Sequence, residues 1–168
     1  MTAGFITRST LYSVPGGDTI QIEQTAKALR ELGVDVDILL TNTKIDYKAY
    51  DLFHFFNLNR PADILYHLDK IDKPIFISPI LVDYSEYDKK YRKGLPGFVF
   101  RRFSSAANEY IKTVSRWLSG KDSLQSKRFL WKGQRGSINE ILKKCSALLV
   151  NSEMEKWTWR NFIPSSFR

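Results

Sequence analysis

A pair of glycines lies where the sequence has its best candidate for ligand binding. Gly16 and Gly17 follow a short apolar run that favours a strand, and they precede a helical pattern. Backbone N–H groups in the first turn of such a helix have no partner within the helix and attract anions. Glycine lets a phosphate or a sugar come close to the backbone, and Asp18 is predicted to cap the helix. A tight turn without ligand is the alternative interpretation.

Polar side chains also follow two later apolar runs. Asn57 comes after the run at 51–56, and Asp83, Tyr84 and Glu86 come after the run at 74–78. Carboxylates accept hydrogen bonds from sugar hydroxyls and tyrosine rings cover sugar faces, at the sheet edge where ligands of parallel α/β proteins bind. We therefore predict acceptor contacts here. An ordinary surface loop, or a turn stabilised by asparagine, is the alternative.

The histidines and the cysteine carry weaker signals. His54 lies on an apolar run and is a candidate ligand contact, although a packed structural role is commoner at such places. His67, on a predicted helix, is a weaker candidate. The single cysteine, Cys145, cannot form an intramolecular disulfide, and no Cys/His cluster has metal-ligand spacing. We predict no metal or other cofactor, and we assign no catalytic residue.

Positive charge is concentrated in one stretch. The net charge is +8, and residues 89–135 hold half of the 26 Lys and Arg residues with only Glu109 and Asp122 as acids. Basic residues interleave with aromatic ones there, which is typical of a basic amphipathic helix on a membrane surface. A solvated helical face is the alternative. The residues predicted to meet an anionic surface are Arg92, Lys93, Arg101 and Arg102.

The element pattern predicts how these residues are positioned. Apolar runs at 3–8 and 34–40 flank a helix in which Ile22, Ala26, Leu29 and Leu32 recur at helical spacing, with Gly33 as its stop. This is a βαβ unit, so the two strands are expected to be parallel. Runs at 51–56, 74–78 and 147–150 add strands whose continuous apolar character suits a sheet covered on both faces.

The whole chain, 1–168, is therefore predicted to be one α/β domain. Its expected architecture is a Rossmann-like, doubly wound parallel sheet with helices on both faces. Helices are expected from Pro61 to Ile71, from 98 to 118 and from 138 to 144, with a basic helical segment at about 89–136. Ser152 with Glu155 three residues later predicts a capping box. No run approaches the length of a membrane span, so we expect a cytoplasmic location.

Longer motifs narrow the possibilities. Both Gly-x-Gly-x-x-Gly and the nucleoside-triphosphate loop are absent. The chain instead contains Gly16-Gly17 directly before a predicted helix. That helix contains the pattern Ala26-x-x-Leu29-x-x-x-Gly33, and a predicted strand follows it. The segments 51–57 and 145–155, the latter containing Val-Asn-Ser-Glu-Met-Glu, continue the pattern. Over nearly its whole length the chain resembles the N-terminal domain of family-4 glycosyltransferases.

The resemblance implies one half of a GT-B fold. In that family the first Rossmann-like domain binds the acceptor and a second one binds the nucleotide-sugar, so this chain is expected to be inactive alone. The intact enzyme is expected to move a hexose from a nucleotide-sugar to a glycan or lipid-linked acceptor, without a bound metal and with retention. It is expected to lie at the inner face of the membrane. A histidine that often follows the family's fourth strand is missing, since residues 77–80 are Ile-Ser-Pro-Ile.

Two other classes of function fit the sequence less well. A flavodoxin-like ligand-binding module has the same predicted fold, and fold alone does not determine function. A nucleic-acid-binding domain fits the pI of about 9.6, but no nucleic-acid motif accompanies the charge, and we expect no nucleic-acid partner.

Overall fold

Five parallel strands form one sheet in the part of the chain that the structure describes. A computed structural model describes residues 1–80, 105–120 and 123–160. The strand order is β2-β1-β3-β4-β5, and every neighbouring pair is parallel. The strands are β1 (Thr2–Thr7), β2 (Asp35–Leu40), β3 (Leu52–Phe56), β4 (Ile75–Ser78) and β5 (Ala147–Leu148). The expectation of parallel first and second strands is confirmed.

Five α-helices accompany these strands within the described ranges. They are α1 (Gly17–Glu31), α2 (Pro61–Leu68), α3 (Ser105–Leu118), α4 (Arg128–Lys144) and α5 (Glu153–Arg160). Pro61 occupies the start of α2 as predicted, because proline lacks the N–H that a first-turn residue leaves unpaired anyway. The helix expected at 138–144 begins ten residues earlier, at Arg128, and Gly133 breaks it with a φ of 64°.

Helix α1 shows how local sequence builds the first crossover. Thr19, Ile22 and Ala26 are its buried residues, and they repeat every three or four positions along one face. The helix ends where predicted, because Gly33 adopts a φ of 81°. Its N–H donates to the Arg30 carbonyl, and the N–H of Val34 donates to the Leu29 carbonyl, each at 3.0 Å. This pair of bonds is a Schellman motif, which terminates a helix.

Alternate residues of β3 enter two separate hydrophobic cores, because successive strand side chains point to opposite faces. Phe56 packs in one core with Phe5 and with Ile22 and Ala26 of α1. The other core contains side chains from β3, α2 and α4, among them Phe53, Phe55, Ile64, Leu65, Ile138 and Ile141. Helices therefore cover both faces of the sheet, and the fold is an α/β domain consistent with a Rossmann-like arrangement.

The connection from β2 to β3 contains a short 3-10 helix, Tyr47–Ala49, and is anchored by a histidine. His67 of α2 is fully buried. Its Nε2 lies 2.8 Å from the Thr41 hydroxyl oxygen and its Nδ1 lies 2.7 Å from the Tyr47 hydroxyl oxygen. Burial, and to a lesser extent the charge of Lys70, lowers the pKa of His67 to about 4. His67 is thus a neutral structural link between α2 and the β2–β3 connection.

The start of α5 departs slightly from the predicted capping box. The Glu155 N–H donates to the Ser152 hydroxyl at 3.1 Å, as a cap requires. The Glu155 carboxylate accepts instead from the N–H of Asn151 at 2.7 Å, one residue before the position that the motif predicts. Asn151 also exchanges two side-chain hydrogen bonds with Gln21, at 3.1 and 3.2 Å, and so joins this end of the chain to α1.

None of the helices in the described ranges is long and apolar enough to cross a membrane.

Candidate functional site

A cleft opens at the carboxyl edge of the sheet between β1 and β3. Because β2 lies on one side of β1 and β3 on the other, the chain changes direction across the sheet here, and open α/β sheets bind ligands at such a switch point. The space between the lining atoms is about 330 Å³, a figure that includes solvent at the open mouth. Its lining residues are Ile6, Thr7, Arg8, Asp18, Ile22, Phe55, Phe56, Asn57, Arg60, Asp63 and Ile64.

The Gly-Gly turn lies at this edge and is open. Gly16 and Gly17 are exposed, and nothing lies within 4 Å of the place that a Cβ on Gly17 would occupy. Helix α1 begins at Gly17 with Gly16 as its N-cap, so the prediction that Asp18 caps the helix is wrong. The Thr19 hydroxyl accepts from the Gly16 N–H at 3.0 Å. Asp18 accepts from the neighbouring Thr19 N–H at 3.0 Å, but its carboxylate chiefly pairs with an arginine.

That arginine, Arg8, holds the whole loop after β1 together. Its Nε and Nη2 donate to the two carboxylate oxygens of Asp18 at 2.7 and 2.9 Å. Its Nη1 donates to the carbonyl and the hydroxyl of Thr10 at 2.7 and 2.9 Å, and Nη2 also donates to the Val14 carbonyl at 2.8 Å. A guanidinium has five N–H donors, so these five bonds use all of them. Arg8 therefore shapes the cleft and keeps no donor for a ligand.

The pairing also keeps Asp18 ionised. Burial by itself would raise the pKa of Asp18, but the hydrogen bonds and the charge of Arg8 outweigh burial and hold that pKa below its ordinary value. The side chains of Arg8 and Asp18 are 11% and 12% exposed. An ionised, nearly buried pair of this kind is a fixed neutral unit, so Asp18 is not available as a general acid.

Asn57 borders the other side of the cleft in an uncommon backbone conformation. Its φ is 65°, in the left-handed region that asparagine tolerates better than most residues. Its N–H continues the β3–β4 ladder to the Ser78 carbonyl at 2.9 Å, and its side-chain oxygen accepts from the Asn59 N–H at 3.2 Å. The predicted contact residue thus lies at the cleft, and it also builds the turn that the alternative interpretation predicted.

Sequence reasoning missed Arg60, which the fold brings to the same cleft. Its Nε donates to an Asp63 carboxylate oxygen at 3.1 Å, and its side chain is 23% exposed. Asp63 is in the first turn of α2, where the helix dipole favours a carboxylate. The available signal was a basic residue placed directly before a helix-starting proline, in the short connection that follows an apolar run. Two of the predicted contacts, Asp18 and Asn57, line the cleft together with Arg60, whereas Gly16 and Gly17 are not among its lining residues.

His54 lies under the cleft and does not line it. It is 5% exposed, and its ring stacks on Phe56 with the ring centroids 4.1 Å apart. Its Nε2 lies 2.9 Å from the Ser78 hydroxyl oxygen, and the Phe5 ring meets it edge-on. Burial lowers the pKa of His54 to about 4. The ring is therefore neutral near pH 7 and packs as part of the sheet's core.

The remaining predicted site residues lie outside the described residues. These are the proposed acceptor contacts Asp83, Tyr84 and Glu86 and the proposed anionic-surface contacts Arg92, Lys93, Arg101 and Arg102. They stay predictions. Within the described ranges no group of three or more His, Cys, Asp or Glu side chains is arranged to hold a metal ion. Cys145 is buried, and burial raises the pKa of its thiol, which disfavours the reactive thiolate.

Taken together, the cleft offers binding groups of a particular kind. It presents Asn57 and the side chain of Arg60, on a floor that includes Ile6 and Phe56. The exposed backbone of Gly17 directly precedes Asp18, which lines the cleft. The two arginines of the described lining are each paired with an aspartate, so the formal charges of these lining residues balance. Such a surface suits a neutral ligand rich in hydroxyl groups. No protein-family profile, curated protein or solved structure matches the chain.

Proposed function

We propose that this chain is the acceptor-side domain of a family-4 glycosyltransferase of GT-B architecture. The observation that carries the proposal is the open Gly16-Gly17 turn at the switch point of a parallel sheet, where an added Cβ on Gly17 meets nothing within 4 Å. A glycine pair at that place leaves room for a ligand against the backbone. The sequence resemblance supplies the kind of ligand, a glycan or a lipid-linked acceptor.

The electrostatics of the cleft favour an acceptor hydroxyl group. Because Arg8 is paired with Asp18 and Arg60 with Asp63, the lining residues that the structure describes carry none of the excess positive charge that a bare phosphate would favour. Sugar hydroxyls both donate and accept, so they can use the Asn57 amide and the exposed backbone at Gly17. The nucleotide-sugar is then the co-substrate of a partner lobe, and the transfer, with retention, takes place between the two lobes.

The reading frame is the first test of this proposal. A continuation past Arg168 into a second alternation of strands and helices, with two glutamates near a helix N-terminus, supports a transferase. A natural stop at that residue favours the second candidate, a flavodoxin-like binding module. The strand order β2-β1-β3-β4-β5 speaks for this candidate, because it is the flavodoxin order, in which one small ligand binds at the same β1–β3 boundary.

A substitution at Gly17 tests the site itself. In the full-length protein, Gly17→Val is expected to lower the rate of sugar transfer to the acceptor at least ~10-fold, because the branched side chain fills the space against the backbone. The stability cost is expected to stay within about 1 kcal/mol, since the site is open and exposed. Transfer is measured with radiolabelled nucleotide-hexoses and a membrane lipid extract.

Ala28→Val is the matched control, because Ala28 is exposed on the same helix and far from the cleft. It introduces the same side chain and is expected to leave transfer unchanged. Equal transfer rates for Gly17→Val and the unaltered enzyme would show that the Gly-Gly turn does not contact the acceptor.

A further inference from the structure

Large apolar side chains are exposed where α3 ends and where α4 begins. The exposed fractions are 36% for Trp117, 73% for Leu118 and 77% for Trp131. All residues from 115 to 120 are exposed, whereas those from 106 to 114 are half-buried. We call Trp117, Leu118 and Trp131 the Trp-Leu tip. Exposed tryptophan and leucine side chains that lie close together mark a surface that meets another molecule or a membrane.

The two helices that carry these side chains pack against each other. The Tyr110 hydroxyl of α3 donates to the Leu130 carbonyl of α4 at 2.9 Å, and the rings of Tyr110 and Phe129 have centroids 5.2 Å apart. Trp131 directly follows Leu130. Leu118 lies eight residues beyond Tyr110, about 12 Å along the helix. The last turn of α3 and the first turn of α4 thus lie within about two helical turns of one fixed contact.

Cations accompany the tip. Arg116 precedes Trp117, and Lys127 lies four residues before Trp131; both are exposed, and neither has a carboxylate partner in the described parts of the chain. Arg128 is different, because it pairs with Asp69 and Glu140. Arg116 and Lys127, together with the exposed tryptophan and leucine side chains, are complementary to a surface that has an anionic outer layer over an apolar interior.

We propose that the Trp-Leu tip inserts into the headgroup layer of an anionic bilayer, with Arg116 and Lys127 on the lipid phosphates. Tryptophan prefers this interface because its ring lies among apolar groups while its N–H stays wet. Each cation adds attraction to the negative surface. A nucleic acid would use the cations but leaves Leu118 in water, so a bilayer fits all the exposed groups. The inference is independent of the proposed glycosyl transfer.

Vesicle sedimentation tests the proposal. The purified protein is expected to bind vesicles made of equal parts phosphatidylcholine and phosphatidylglycerol. It is expected to bind vesicles of phosphatidylcholine alone much more weakly. Trp131→Ala and Leu118→Ser are each expected to lower the partition coefficient about 10-fold, because each removes the insertion of a large apolar side chain. Arg116→Gln and Lys127→Gln are each expected to lower it about 5-fold.

Trp157→Ala is the matched control, since Trp157 is 69% exposed on α5, outside the tip. It is expected to bind vesicles as the parent does. Circular dichroism checks folding, which the substitutions of exposed side chains should leave intact. An unchanged partition coefficient for Trp131→Ala overturns the proposal, as does an equal loss for Trp157→Ala. The proposal is also overturned if the protein does not bind vesicles and Trp131 is instead required for self-association or for oligonucleotide binding.

Discussion

The two loops that border the cleft are built on different principles. In the loop after β1 all five donors of the Arg8 guanidinium are used internally, and the part left open is the backbone at Gly17. The loop after β3 is shorter and depends on backbone conformation, with Asn57 in the left-handed region and Arg60 at the start of α2. The first loop is a frame held by side-chain hydrogen bonds, and the second brings the side chains of Asn57 and Arg60 to the cleft.

This difference explains how a cleft can be prepared without a bound ligand. A frame already held by hydrogen bonds loses little conformational freedom when a ligand binds, so less of the binding energy is lost in ordering it. The free energy needed to order this loop is part of folding instead, because a buried guanidinium is stable only when all its hydrogen-bond partners are in place. The two loops should therefore respond to different perturbations.

Removal of the Arg8 side chain tests the frame and has the largest expected effect. Arg8→Ala leaves the Asp18 carboxylate nearly buried without its cation, so the free energy of unfolding is expected to fall by about 3 kcal/mol. Urea denaturation measures it. The control is Lys27→Ala, which breaks the exposed pair with Glu31 and should cost less than about 0.5 kcal/mol. Similar losses for the two variants would show that the Arg8 network is not a frame.

Acid is expected to affect the two buried histidines at a higher pH than it affects the Arg8–Asp18 pair. Burial lowers the pKa of His54 and of His67 from 6.5 to about 4, so between those pH values the unfolded chain binds more protons. The free energy of unfolding is therefore expected to fall as pH drops from 7.5 to 4.5, by about 2 kcal/mol for each histidine. The contribution of the Arg8–Asp18 pair also falls as pH drops, but it is lost only below the ordinary aspartate pKa of 3.8.

His54→Asn sharpens this comparison by removing one of the two titrations. Denaturation at several pH values should show a shallower slope between pH 6.5 and 4.5 for this variant than for the parent. A slope that is unchanged by the substitution would mean that His54 does not titrate with a lowered pKa.

The backbone at Asn57 gives the smallest expected effect. With a φ of 65°, Asn57→Ala is expected to cost about 1 kcal/mol, because a Cβ without a compensating polar group is unfavourable in the left-handed region. Asn57→Gly should stay within about 0.5 kcal/mol, since glycine adopts this region freely. Thermal denaturation compares the two. If alanine and glycine behave alike, conformation does not hold this loop.

Local pattern was enough for much of the fold. The alternation of apolar runs with a helical repeat, and Gly33 as a helix stop, follow from interactions within a few residues, so α1 and the four longer strands were predictable. Periodicity does not reveal an irregular turn, and so the break at Gly133 within α4 was missed. The N-cap was also misplaced by two residues, because Asp18 forms its main bonds with Arg8, ten residues earlier.

The sequence by itself determined the parallel α/β class and the open glycine turn, because hydrophobic periodicity and glycine act on the nearest residues. Only the tertiary structure decided that β3 lies beside β1, which brings Asn57 and Arg60 to one cleft with Arg8 and Asp18. It also decided that His54 lies beneath Phe56 and that the Trp-Leu tip is exposed. Strand order and burial depend on contacts between distant parts of the chain. Composition and residue spacing do not reveal those contacts.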